Sequence, residues 1–160
     1  MRYKNKSSKL PNPIKYSLWL LGYKGRSVKD MTAALEKRGF DEAVVADTVA
    51  TLLDWGYLND ARLKEDLIDR RKRNNVKGRS FLRRELEQAG IYDLDDLDQL
   101  YTDEEEQEAI LTLLEKWGRT TLLCEDNRGK YFMRLANRGF SKGNIFTAME
   151  KHCDDKERLS

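Results

Sequence analysis

Few residues in this chain could carry chemistry. His152 is the single histidine, set near the C-terminus beside Cys153. No Cys, Asp or Glu stands at metal-ligand spacing from it. Neighbouring residues on a helix point apart, so Cys153 does not complete a pair with it, and His152 reads as a surface residue. No glycine-rich phosphate loop, nucleophile elbow or pair of metal ligands occurs. An enzyme, a metal site and a cofactor site are therefore not expected. Cys124 and Cys153 lie far apart in the sequence, which fits a reducing compartment better than a disulfide framework.

Charge is the stronger signal. The 160 residues carry a net charge of only +2, but it is segregated into blocks. Residues 1 to 29 hold eight Lys or Arg and no acid. Residues 70 to 84, RRKRNNVKGRSFLRR, hold eight more, again with no acid. The helix dipole favours cations near a helix C-terminus, yet eight in 15 residues exceed what capping requires. Arginine forks suit phosphate and carboxylate partners. Arg70, Arg71, Lys72, Arg73, Lys77, Arg79, Arg83 and Arg84 are accordingly the first candidates for a surface that binds nucleic acid or an acidic protein. Residues 93 to 108 hold nine Asp or Glu and no base. Their spacing matches no calcium loop, and they read as a solvated acidic face that repels phosphate or meets a basic partner. Two aromatic pairs, Trp55 with Tyr57 and Tyr131 with Phe132, read as core rather than as platforms for bases.

Helices must position these side chains. Both prolines, Pro11 and Pro13, lie near the start, and nothing after Ile14 forbids helix. A first helix is expected from Ile14 to Tyr23, with Leu18, Trp19 and Leu21 inward. Ser27 caps a second, with Asp30 at its third position and Val28, Met31 and Leu35 in one stripe. Gly39 stops it, Phe40 folds back, and Asp41 caps a third helix that buries Val44, Val45, Thr48, Val49, Leu52 and Leu53. Asp60 then caps a helix carrying Leu63, Leu67 and Ile68. After a turn at NNVKG comes a helix with Phe81, Leu82 and Leu86, stopped by Gly90, and a short acidic helix with Leu94, Leu97 and Leu100. The last group holds a helix from Asp103 to Trp117, one carrying Tyr131 and Leu135 and stopped by Gly139, and one capped by Ser141 with Ile145, Phe146 and Met149 inward. No alternating strand pattern is present.

A short phrase punctuates this succession: LEKRGF at 35, LEQAGI at 86 and LANRGF at 135. Its glycines are 51 and 49 residues apart, a period that indicates tandem copies of one supersecondary unit. The expected architecture is all-α, about nine helices in tandem three-helix repeats, elongated or curved. The divisions are a flexible basic arm at 1–13, repeats at 14–58, 59–101 and 102–153, and a tail at 154–160. A unit of that size buries too little surface to be robust alone, so neighbours must lean on each other. The phrase also places bases beside two of its glycines, which makes Lys37, Arg38, Arg134 and Arg138 a second rank of binding candidates. The start, MRYKNKSSKLPNPIKY, has no apolar run after its basic residues. No signal peptide or membrane span is expected, and the chain reads as cytoplasmic.

The stretch SVKDMTAALEKRGFDEAVVADTVATLLDWGYLNDARL, followed by GRSFLRRELEQAGI, resembles the RecX family of bacterial recombination regulators. The landmarks are the Ser-capped helix ending in Leu-x-x-x-Gly-Phe (Ser27 to Phe40), then Gly-Tyr-Leu-Asp-Asp-x-Arg-Phe (Gly56 to Leu63). A basic stretch, Gly78, Glu85 to Ile91, and a closing Arg-Gly-Phe-Ser at Arg138 to Ser141 complete them. The resemblance covers about residues 14 to 150. Asn59 stands where the family usually has Asp and Leu63 where it has Phe; capping survives through Asp60. The stretch CEDNRGKYFMRLA is a weaker match. The resemblance implies a non-enzymatic protein of three-helix repeats; a monomer is expected. Such a protein binds the RecA recombinase, lies in the groove of its filament on single-stranded DNA, and inhibits or modulates strand exchange, ATP hydrolysis and coprotease activity. From charge alone, an independent DNA-binding protein or transcriptional regulator is the alternative.

Overall fold

The computed structural model describes residues 10–159. Among them every regular element is helical: α1 (Pro13–Tyr23), α2 (Val28–Arg38), α3 (Glu42–Asp54), α4 (Asp60–Arg73), α5 (Arg79–Gln88), α6 (Leu97–Leu100), α7 (Asp103–Gly118), α8 (Arg128–Ala136) and α9 (Lys142–Leu159), with one 3-10 turn at Glu125–Asn127 before α8. The basic arm expected over residues 1–13 lies outside the described residues as far as position 9; Pro13 already opens α1, its fixed φ suiting the first helical turn. The residues expected as a tail, 154–159, instead continue α9, since nothing in DDKERL interrupts a helix. No described helix is long and apolar enough to cross a membrane.

The repeated phrase works as a local stop signal. Gly39, Gly90 and Gly139 have φ of 102°, 83° and 86°, in the left-handed region that glycine enters freely. Beyond each, the next residue's N–H reaches back to the carbonyl of the phrase's leucine: Phe40 to Leu35 at 3.3 Å, Ile91 to Leu86 at 2.9 Å and Phe140 to Leu135 at 3.5 Å. This is the Schellman pattern, and it buries the residue after the glycine against the helix it ends. The same backbone pattern closes α3, where Gly56 has φ 77° and Tyr57 donates to Leu52 at 2.9 Å, but there the buried residue is Leu58 and not Tyr57.

The chain divides into two compact units within α4, after Leu63. In the first, Leu20, Met31, Leu35, Phe40, Val45, Val49, Leu52 and Leu58 form the core. Ser27 caps α2 through its hydroxyl, as expected. Asp60 does not cap its own helix: Asn59 accepts the Arg62 N–H at 3.1 Å, while Asp60 accepts the Val28 N–H at 2.9 Å and so caps α2. The apolar stripes of α1 and α3 are narrower than expected. Trp19, Val44 and Leu53 are exposed, and Leu20 is buried instead. The run LWLL leaves the phase of α1 open in the sequence, and packing against α3 selects Leu20. Trp55 and Tyr57 are exposed as well, because the helix stop at Gly56 turns both rings outward from the core.

In the second unit α7 and α9 pack along each other. Ile110, Leu113, Leu114, Trp117, Tyr131, Leu135, Phe140, Ile145, Ala148 and Met149 make its core. Phe146 lies outside it, exposed and in ring contact with Phe132 at 5.1 Å. Gly78 and Gly139 meet backbone to backbone: the Gly78 N–H donates to Arg138 O at 2.9 Å and the Ser80 N–H to Gly139 O at 3.2 Å. The third copy of the phrase thus stops α8 and also docks the start of α5.

His152 is buried, not at the surface. It follows Ile145 by seven residues, which places it on the inward stripe of α9, and its Nε2 has no hydrogen-bond partner. Burial, with Lys156 adding to the effect, pushes the imidazole below its ordinary value. The unfolded chain therefore takes up a proton at about pH 6.5 while the folded chain resists until lower pH. Stability of the second unit is expected to be full above about pH 7 and to decline as pH falls through about 6.5. Thermal melts of the His152→Leu variant should be flatter between about pH 7 and 5.5, with the carboxylate-driven loss below about pH 4 retained. A variant as acid-sensitive as the parent in the upper range would exclude His152 as the cause.

Candidate binding surface

The eight cations of residues 70–84 have separate fates. Arg71 forms a two-pronged pair with Glu85, Nε to Oε2 at 3.0 Å and Nη2 to Oε1 at 2.6 Å, with its guanidinium over the Phe81 ring at 5.3 Å. The hydrogen bonds it donates to Glu85 hold its pKa above the ordinary value. Lys72 donates to both oxygens of Glu105 at 2.9 Å and sits over the Tyr101 ring. That bond holds the Glu105 carboxyl below its usual range. Arg79 pairs with Asp98 at 3.1 Å and with Asp103, and lies 3.6 Å from Glu106. Burial works against its charge, and Glu106 and Asp103 outweigh it, so its pKa is raised.

The acidic segment 93–108 is therefore no free solvated face. Asp96 holds Lys64 at 2.8 Å, and Asp98, Asp103, Glu105 and Glu106 hold Lys72 and Arg79. Glu106 is fully buried; it accepts the Arg79 N–H at 2.6 Å and the Asn144 side-chain N–H at 2.7 Å. Since Gly78 precedes α5 and has no side chain to cap it, Glu106 of α7 supplies the missing acceptor. The negative charge is also well placed against the helix dipole.

The remaining cations form the candidate surface. Arg70, Arg73, Arg83 and Arg84 are exposed, and none has a carboxylate partner among the described residues. Arg84 bonds only the Ser80 carbonyl, at 3.3 Å. Lys77 lies over the Phe81 ring at 4.6 Å. Partial burial and the neighbouring Arg138 and Arg71 depress its pKa, as expected of an ammonium held among like charges. Of the second rank in this unit, Arg134 stacks on Trp117 at 3.8 Å, and Arg138 ties Val76 O to the same ring, at 2.9 Å and 5.6 Å. Lys37 and Arg38 belong to the first unit, where Arg38 lies over Tyr16 at 5.7 Å. No described group of three His, Cys, Asp or Glu could hold a metal ion, and both cysteines are free thiols.

A family model described as "RecX, first three-helix domain" matches residues 15–52. The chain is 30% identical over 135 residues to the regulatory protein RecX of Chlorobium phaeobacteroides (strain BS1), covering 82% of this chain and 87% of that protein. It is 29% identical over 146 residues to the regulatory protein RecX of Bacillus pumilus (strain SAFR-032), covering 86% of this chain and 54% of the relative. The chain thus spans about half the length of the Bacillus relatives it matches. The crystal structure of RecX from Lactobacillus salivarius has the same fold, with a TM-score of 0.76 at 24% identity over 88% of this chain and 94% of that one.

Proposed function

From the premise that the chain belongs to the RecX family, we propose that it is a cytoplasmic regulator that binds the RecA recombinase and its filament on single-stranded DNA. It acts as a monomer, without cofactor, and inhibits strand exchange, ATP hydrolysis and coprotease activity. Its helices form three copies of one three-helix unit, over 14–58, 59–101 and 102–153. The observation that carries this reading is the set of uncompensated arginines, Arg70, Arg73, Arg83 and Arg84, around the end of α4 and the start of α5. Arg71, Lys72 and Arg79 are held by carboxylates of the same unit, whereas these four are exposed and unpaired among the described residues and so suit an external anionic partner: a phosphate backbone or an acidic protein surface.

The test is the ATPase of RecA on single-stranded DNA, titrated with the protein. Reversing Arg70, Arg73 and Arg83 to Glu should raise the concentration for half-maximal inhibition by roughly tenfold or more, since each exchanged charge now repels the partner. Far-UV circular dichroism should not change, because none of the three makes an ion pair. Unchanged inhibition would move the binding face elsewhere. Tight, sequence-selective duplex binding with no effect on RecA would favour the independent DNA-binding protein instead.

A further inference from the structure

We propose that the first unit holds a site for single-stranded nucleic acid, in which the groove between α1 and α2 takes the phosphates and the exposed aromatic stripe of α1 takes the bases. The groove encloses about 580 Å³ and is lined by Lys24, Arg26, Lys37 and Arg38, with Tyr16 and one acid, Asp30. None of these four cations has a carboxylate partner among the described residues. The Nε of Arg26 is buried and has no hydrogen-bond partner. A guanidinium N–H shut away from water without an acceptor is costly. Arg26 lines the groove with three further cations, and a phosphate bound there would supply the acceptor its guanidinium lacks once the side chain turns toward the groove.

The aromatic stripe distinguishes a nucleic acid from a simple anion. Tyr16, Trp19 and Tyr23 follow at i, i+3 and i+7 on α1, so they share a face. Tyr16 stacks on Trp19 at 5.9 Å with an interplanar angle of 22°, and Tyr23 meets Trp19 edge-on at 4.9 Å. Trp19 is 56% exposed and Tyr23 71% exposed, although both are large and apolar enough to belong in a core. Tyr16 belongs to both features, so the cations and the rings adjoin. Cations following a backbone beside rings that stack on bases is how single strands are held without sequence preference. A duplex keeps its bases stacked on one another and cannot use the rings. This site uses residues of the first unit only and does not require RecA.

Fluorescein-labelled oligo(dT) of 15 nucleotides, read by anisotropy without RecA, tests the proposal, with the duplex and a poly-glutamate peptide as competitors. The strand should bind, with a log–log salt slope of roughly −2 to −3 for three or four phosphates. Arg26→Met should weaken it about tenfold and flatten the slope by about 0.7, the contribution of one phosphate. Trp19→Ala should weaken it by roughly tenfold or more through lost stacking. The melting temperature of Arg26→Met should hold or rise, since the replacement removes an unpartnered buried N–H; a merely structural arginine would lower it. Equal affinity of parent and both variants overturns the site. Competition by poly-glutamate as strong as by the strand, with Trp19→Ala silent, overturns it in favour of an acidic protein partner. Inhibition of RecA by these variants is scored separately: its loss with strand binding intact counts against the first unit as a nucleic-acid site, whereas failure of the α4–α5 reversals leaves this site standing.

Discussion

Replacing Gly78 with alanine is expected to destabilise the second unit by about 3–5 kcal/mol, which for a chain of this size is a melting temperature lower by roughly 10 °C. A Cβ at position 78 would fall inside van der Waals contact with three backbone atoms: the carbonyl carbon and oxygen of Gly139 and the nitrogen of Phe140. Backbone cannot swing aside as a long side chain does. Separation would break the hydrogen bonds from Gly78 to Arg138 and from Ser80 to Gly139, and would strand the donor of the buried Gly78 at about 1–3 kcal/mol. The same contact predicts a graded series across the repeated phrase. Gly39→Ala meets only left-handed strain and a distant Leu10 Cδ2 at 3.9 Å, costing about 1 kcal/mol. Gly139→Ala meets that strain and the Phe81 Cβ at 2.6 Å, and should cost at least twice as much. Gly129→Ala, within α8 and with nothing within 4 Å, should be neutral or stabilising by a few tenths of a kcal/mol. Urea midpoints of the four variants decide the matter; equal losses at Gly39 and Gly139 would refute the docking role.

Glu106→Ala is expected to cost about 3 kcal/mol, the second largest effect. The substitution strands two donors, the Arg79 N–H and the Asn144 side-chain N–H, and removes a buried counter-charge 3.6 Å from a guanidinium whose side chain is 17% exposed. Asp98 and Asp103 remain on Arg79, which keeps the loss below that of a fully orphaned charge. Glu106→Gln preserves an acceptor and should lose about half as much. A double-mutant cycle separates charge from packing: in Arg79→Met with Glu106→Ala the losses should be less than additive, because neither charge is then buried alone. Strict additivity in denaturant titrations would show that the pair is not coupled.

Whatever depends on residues close in the chain was legible in the sequence. Helix hydrogen bonds span four residues and the stop after each phrase spans five, so Ser27 as a cap and Gly39, Gly90 and Gly139 as stops follow from spacing alone. The all-helical character follows likewise, and the landmarks from Ser27 to Ser141 were enough to indicate the family. Burial was only partly legible: His152, which reads as a surface residue, continues the α9 stripe from Ile145 and is inside, while the apolar run around Trp19 carries no phase.

Charge pairing was not legible, because it is decided by positions remote in sequence. Lys72 meets Glu105 across 33 residues and the Arg79 N–H meets Glu106 across 27. The basic block and the acidic block, which look like two opposed surfaces when read along the chain, partly cancel once α5, α6 and α7 are assembled. Asp60 leaves its own helix to cap α2, 32 residues away, for the same reason: a carboxylate goes to the unsatisfied N–H that folding brings nearest. The sequence determined the helices, their stops and the pool of cations. Only the tertiary structure decided that Arg71, Lys72 and Arg79 are spent on internal carboxylates while Arg70, Arg73, Arg83 and Arg84 face outward, because Coulomb attraction acts between neighbours in space and not along the chain.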